Sequence, residues 1–201
     1  DVLPSSCPCC AEGNPKTEYG YDQYGNVTQV TDANCHTTTT EYETTYNTYP
    51  HIVTNPLGHQ TITEYEPRFG LVSLTRDPNG NETRRYYDAH SRLERIVGPY
   101  DSYNLPTVRY EYNLSTIPTK VITHSLQVSG QSSELLTVTF MDGLGRTVQK
   151  KTMAENNQSV VSDTVNYDVL GRVAQRYFPY FEPMGNLYTY SSPSAISPTT
   201  T

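Results

Sequence analysis

The chain has 201 residues, of which 35% are hydrophobic, and a formal net charge of −7 from 14 Lys and Arg against 21 Asp and Glu. An apolar share below the roughly 45–50% of ordinary domains argues against one thick core and for a thin or repetitive structure in which each layer buries its neighbour. The acidic balance argues against nucleic acid or anionic membrane as a partner, and no run approaches the ~18 apolar residues of a membrane helix.

The aromatic count is lopsided, with 18 Tyr, 4 Phe and no Trp, and the chain holds 28 Thr. Tyr has an apolar body and a polar tip that suit half-buried sheet faces, and Thr is β-branched, so composition alone points to β structure. In chain order, residues 1–18 are Pro-, Ser- and Cys-rich and read as a stapled N-terminal arm. The opening stretch DVLPSSCPCC lacks both an initiating Met and a basic-then-apolar leader, so a processed product or a piece of a longer chain is expected. Cys7, Cys9, Cys10 and Cys35 read as disulfide candidates in an oxidising compartment. A zinc site using these Cys or His36 is the rival reading, though Cys7-Pro8-Cys9 is tighter than the usual spacing of the first ligand pair.

From residue 19 to 183 the sequence repeats. Asn55-Pro56-Leu57-Gly58 lies over Asp77-Pro78-Asn79-Gly80 at a shift of 22 residues, and the same shift takes Tyr65-Glu66 onto Tyr87-Asp88. Further units are Tyr21-Asp22-Gln23-Tyr24-Gly25, Phe140-Met141-Asp142-Gly143-Leu144-Gly145 and Tyr167-Asp168-Val169-Leu170-Gly171. Asp and Asn fold back on their own backbone to open turns, and Gly accepts the positive φ that tight turns need. The residues after each Gly alternate, as in Gln60-Thr61-Ile62-Thr63-Glu64-Tyr65, which marks a two-faced strand. Each period therefore holds two strands and two turns, one hairpin per repeat. Tyr65, Tyr87, Tyr110, Tyr112 and Tyr167 are expected to stack on one another as a ladder, and each repeat Asp to cap its turn.

Two stretches, 99–107 and 125–134, break the period and read as loops. Arg84-Arg85 and Lys150-Lys151 read as solvated strand positions. Residues 184–201 form a Ser/Thr/Pro-rich tail, expected to be linker-like or held by a neighbouring subunit. Sequons occur at Asn26, Asn81, Asn113 and Asn157 as possible N-glycosylation sites. The five His are scattered, and no metalloprotease, nucleophile-elbow or phosphate-loop motif occurs. Asp77, Asn79, Asn81 and Asp88 sit at calcium-loop spacing, but Glu82 occupies the position that needs Gly. No catalytic residue, cofactor or metal is expected.

The Tyr-Asp-x-x-Gly-(Asn/Arg) units and the Asp-Pro-x-Gly turns resemble RHS repeats, also called YD repeats. The stretch Phe140–Lys151, followed by Tyr167–Val173 and Tyr177–Glu182, is similar to the repeat region of the B component of Tc insecticidal toxins and SpvB-like proteins. The resemblance implies an all-β fold of antiparallel hairpins in a curved or spiralling sheet, part of an open shell. It implies a non-catalytic scaffold of an exported, toxin-type encapsulating protein, with copies of itself or further repeats as partners and a secreted location. A mature extracellular filament subunit joined through edge strands and terminal arms is the alternative. A carbohydrate-binding or carbohydrate-active β protein is the lesser one.

Overall fold

The computed structural model describes residues 15–192 and the backbone of 198 and 199. The calls on the arm and on Cys7, Cys9 and Cys10 lie outside the described residues. The chain falls into two compact units, residues 1–86 and 87–201. The structure is all-β: antiparallel hairpins joined by short turns, with a single 3₁₀ turn over Met184–Asn186 among the described residues.

The first unit is a meander of β1 (Glu18–Tyr21), β2 (Val27–Thr31), β3 (Thr37–Tyr42), β4 (Pro50–Thr54), β5 (Gln60–Glu66), β6 (Leu71–Arg76) and β7 (Glu82–Tyr87). Each strand pairs antiparallel with the next, as in Val53 opposite Thr61 and Thr75 opposite Thr83. In such a meander successive turns lie at opposite ends, so the Tyr-acid turns at Asp22, Glu43 and Glu66 alternate with the turns at Asp32, Asn55 and Asp77 along the unit. Leu74 is its one fully buried hydrophobic residue among those described. Most other side chains are half-buried, because Thr and Tyr lie flat on a sheet rather than filling an interior.

The second unit carries β8 (Leu93–Val97), β9 (Val108–Asn113), β10 (Thr119–Leu126), β11 (Glu134–Met141), β12 (Thr147–Ala154), β13 (Gln158–Ser162) and β16 (Tyr180–Pro183) as one antiparallel ladder. A smaller sheet holds β14 (Val165–Tyr167), β15 (Val173–Tyr177) and β17 (Pro198–Thr199). The core sits on one face of β10–β12. Val138 and Phe140 alternate inward on β11 and pack with Leu187, Ile122, Leu136, Val148, Met184 and Tyr190.

Residues 184–191 depart from the tail-like reading. Leu187 is fully buried, and Tyr190 meets Phe140 edge-on at 6.0 Å. The physical reason is the apolar Met184, Leu187 and Tyr190 set among the polar residues, which give this segment a face to bury. Lys151 departs from its reading too. It is 0% exposed, on the same sheet face as Val138 opposite it.

Candidate functional site

The repeated turn has one geometry in seven places. The first residue is Asp22, Asp32, Asn55, Asp77, Asp88, Asp142 or Asp168. Its backbone N–H donates to the carbonyl four residues on, and its own carbonyl accepts from the residue three on, as Asp142 does with Arg146 and Gly145 at 3.0 and 3.1 Å. Its side-chain Oδ1 accepts from the N–H groups two and four residues on, at 2.9 and 3.0 Å for Asp142. The fourth residue has positive φ in every copy. Gly fills it at Gly25, Gly58, Gly80, Gly145 and Gly171, but Cys35 and Ser91 occupy it at φ 64 and 60. This is a three-residue hairpin loop closed by a left-handed residue, the type whose twist matches the flanking strands.

Sequence reasoning missed the Asp32 copy, because Cys35 drew attention as a cysteine rather than as the residue in the glycine slot. Asp32-Ala33-Asn34-Cys35-His36 carries the signal only once the fourth position is allowed to be something other than Gly. Glu43 makes a wider version. Its carboxylate accepts from the N–H groups of Thr45, Tyr46 and Thr48 at 2.7, 2.8 and 3.1 Å.

The fifth residue decides what the turn does beyond itself. In three copies it is Arg: Arg92, Arg146 and Arg172. Each donates Nε to Oδ2 of its turn Asp, at 2.7, 2.8 and 2.8 Å. Arg92 lies over the Tyr112 ring at 4.5 Å, and Arg146 over the Tyr167 ring at 3.9 Å. The same two tyrosines donate their hydroxyls to the carbonyls just after those turns, Tyr112 to Leu93 at 2.7 Å and Tyr167 to Thr147 at 3.2 Å. Tyr42 does likewise to Val27 at 3.1 Å. Each such tyrosine precedes the next repeat's acid or Asn. The result is a latch from one hairpin to the next: Asp fixes Arg, Arg offers a cationic face, and the following Tyr covers it and caps a free carbonyl. Arg146 also donates to Gly171 O at 3.2 Å, tying consecutive turns directly.

The latch replaces the expected tyrosine ladder at Tyr112 and Tyr167. A ring contact of that kind occurs at Tyr65, which stacks on Tyr49 at 4.8 Å and 23°. With Tyr46 and His51 these rings line a cleft of about 390 Å³. The physical reason is placement: the turn carboxylate fixes the guanidinium against the face of the following tyrosine, and a cation over a ring face is attracted by its quadrupole. Tyr110 takes part in no ring pair among the described residues, and Tyr87 stands at the end of β7. Tyr21 is exposed at the end of β1.

The turn carboxylates titrate low. The Arg92 side-chain bond leads the causes that hold Asp88 down at about 2. Asp142 is lowered first by Arg146, Asp77 first by Asn81, and Asp168 first by the Arg172 backbone N–H. These shifts follow from donors converging on the ionised form.

The sequons fall into two sorts. Asn26 Nδ2 donates to Asp22 Oδ2 at 2.9 Å and to Asn47 O at 2.7 Å, and Asn81 Nδ2 donates to Asp77 Oδ2 at 2.9 Å. These amides, which a glycan would have to take, are engaged in the turn. Asn113 and Asn157 are exposed. Among the described residues no three His, Cys, Asp or Glu converge as metal ligands. Asp77, Asn79 and Asn81 instead satisfy one another within the turn.

A second polar cluster closes the C-terminal side. Lys151 Nζ donates to Glu182 Oε2 and Ser191 Oγ, both at 2.6 Å, and to Asn186 O at 3.1 Å. Gln149, also buried, donates to Ser191 O at 2.9 Å and accepts from Ser191 N–H at 3.0 Å. No local signal announces this cluster, since Lys151 and Glu182 lie 31 residues apart.

Solved structures share this architecture. The crystal structure of TcdB2-TccC3 matches with a TM-score of 0.71 and 18% identity, covering 83% of this chain and 11% of that one. The chain has the fold of one part of TcdB2-TccC3. The Tc holotoxin pore of Photorhabdus luminescens with a TccC3-D651A mutation matches at 0.70 and 15%, covering 83% of this chain and 13% of that one. The TcdB2-TccC3-Cdc42 structure matches at 0.68 and 14%, with the same coverage as the pore. The chain thus spans little more than a tenth of the Tc chains it resembles. A family model described as a domain of unknown function (DUF6443) matches residues 114–200. No curated protein matches in sequence. The resemblance to RHS/YD-repeat proteins, read from the Tyr-Asp units, holds in the fold.

Proposed function

We propose that this chain is a non-catalytic segment of the β-scaffold of an exported RHS/YD-repeat protein, built into a toxin-type encapsulating shell. The observation that carries the reading is the latch, in which a tyrosine of one hairpin closes on the arginine of the hairpin before it. Such a device serves stacking in series and leaves each repeat dependent on its neighbour. The Tc likeness supports a scaffold role, and its share of the Tc chains supports a part of a longer wall. The turn aspartates are consumed by backbone and arginine donors, which supports a structural rather than chemical use of them. A disulfide from Cys35 to the Cys7–Cys10 segment, and glycans on Asn113 and Asn157, fit an exported protein.

A second reading, a filament subunit, draws on β1. Among the described residues it pairs with β2 alone, and it carries exposed Tyr19 and Tyr21, features that suit pairing with another chain. Negative-stain imaging of the natural protein separates the two. Hollow particles are expected; filaments transfer the case to the second reading, and compact solid monomers refute both.

A further inference from the structure

We propose that the cleft at the Glu43 turn is a binding site for an arginine side chain of another polypeptide. The guanidinium would sit between the Glu43 carboxylate and the rings of Tyr46, Tyr49 and Tyr65. The site stands apart from the scaffold reading, because its residues all lie in the first unit and need no further repeat.

The chain itself shows what such a site holds. At the Asp88 and Asp142 turns a carboxylate, a guanidinium and a ring form one assembly, with Arg92 over Tyr112 at 4.5 Å and Arg146 over Tyr167 at 3.9 Å. The Glu43 turn has the carboxylate and the rings without the cation. Glu43 accepts backbone N–H groups alone, and no Lys or Arg pairs with it among the described residues. Tyr65 ends its strand before an acid as Tyr167 does, but it faces Tyr49 rather than an arginine. None of the three rings carries a cation among the described residues.

The place of that cation is open. The cleft of about 390 Å³ lies within the range of small-ligand sites, about 300–1,000 Å³. Tyr46 stands at 80° to Tyr49 with centroids 6.5 Å apart, so the walls face two directions, and Tyr46 is 57% exposed. No Lys or Arg lines the cleft. Arg68, beside the lining residue Pro67, is engaged elsewhere: its Nε donates to Glu66 at 2.7 Å and its guanidinium lies over Phe69 at 5.0 Å. His51 donates Nδ1–H to Thr63 O at 2.9 Å, which leaves Nε2 of the neutral ring as an acceptor.

The walls are set in advance. Asn26 Nδ2 anchors Asn47 O inside the turn at 2.7 Å, and the Tyr49 hydroxyl lies against Gly70, where a Cβ would stand 2.6 Å away. A preformed site loses little affinity to ordering. A carboxylate and ring faces with no resident cation select a positive group over a neutral one. Among cations they favour the planar guanidinium, which stacks on a ring and bonds a carboxylate at once.

The test titrates the 201-residue protein with N-acetyl-arginine N-methylamide, followed by amide and tyrosine-ring NMR. Saturable shifts confined to residues 43–51 and Tyr65 are expected, with a dissociation constant in the millimolar range. The citrulline analogue has the same shape without the charge and should bind at least about fivefold more weakly. Tyr46→Leu should weaken arginine binding by a similar factor and Tyr46→Phe should retain it. Glu43→Gln, which keeps an acceptor for the turn, should weaken it too, with amide signals outside the cleft unchanged as the check on folding. Equal binding of the arginine and citrulline forms, shifts that map elsewhere, or binding indifferent to Tyr46→Leu would overturn the proposal. Free arginine binding more tightly than the blocked form would make the amino acid the ligand and overturn it as well.

Discussion

Lys151 supplies the largest single effect the structure predicts. Its ammonium is wholly buried and spends all three donors, on Glu182, Ser191 and Asn186. Glu182 lies with its side chain 13% exposed, and it also accepts from the Ser191 hydroxyl at 3.0 Å and from the Tyr180 hydroxyl. Lys151→Met keeps the length of the side chain and removes the charge. The Glu182 carboxylate is then left in the sheet face with only the neutral Ser191 and Tyr180 hydroxyls as donors, and breaking a buried pair from one side costs about 3–5 kcal/mol. At roughly 2–4 °C per kcal/mol for a chain of this size, the melting temperature should fall by about 6–20 °C. The control is Lys151→Met with Glu182→Gln, which removes both charges and should recover most of the loss. Urea unfolding of the two variants, followed by β-sheet circular dichroism, gives both numbers. A single variant that loses less than about 1 kcal/mol, or a double variant no better than the single, would refute the reasoning that this pair holds residues 180–191 on the sheet.

Other outcomes follow from the turns. The carboxylates of Asp77, Asp88, Asp142 and Asp168 have folded pKa values below the unfolded one, so their contribution is complete above about pH 4 and is lost as pH falls toward 2. Thermal melts should therefore be flat from pH 7 to 5 and drop steeply below 4, and Asp88→Asn should soften the drop. Ser91 holds φ 60, so Ser91→Gly should leave stability unchanged or raise it by up to about 1 kcal/mol in denaturant melts. Gly80→Ala has open space but φ 85 and should cost about 1–2 kcal/mol. Gly70→Ala should cost more, because its Cβ would stand 2.6 Å from the Tyr49 hydroxyl in addition to the strain at φ 66. If Gly70→Ala proves milder than Gly80→Ala, the packing of Tyr49 is not as described.

The turns were legible in the sequence because their chemistry is local. Asp142 and Gly145 are three residues apart, and both residue types announce a turn wherever they stand at that spacing. The strands were legible for the same reason, since alternation in Gln60–Tyr65 is read within one element. What lay beyond reach was chemistry assembled across the sheet. Arg146 and Tyr167 are 21 residues apart, and nothing in either neighbourhood says that a guanidinium will face a ring rather than solvent. The tyrosine ladder was the natural guess from recurrence alone, because a repeat suggests like on like. The structure pairs unlike residues, the Arg of one repeat with the Tyr of the next. Lys151 failed for a related reason. A strand reading Thr147-Val148-Gln149-Lys150-Lys151 shows no apolar alternation, and its inward face is polar because the segment packed on it supplies Glu182 and Ser191. Cys35 failed because residue type hid backbone role.

The latch itself is most directly tested by a double-mutant cycle in the 201-residue protein, combining Arg146→Gln with Tyr167→Leu. Unfolding free energies of the parent, both single variants and the double variant yield the coupling between guanidinium and ring. The account predicts a favourable coupling of about 0.5–2 kcal/mol. Free energies that simply add, to within about 0.3 kcal/mol, would mean that the ring and the arginine are neighbours without being partners, and that the hairpins are not joined in the way described.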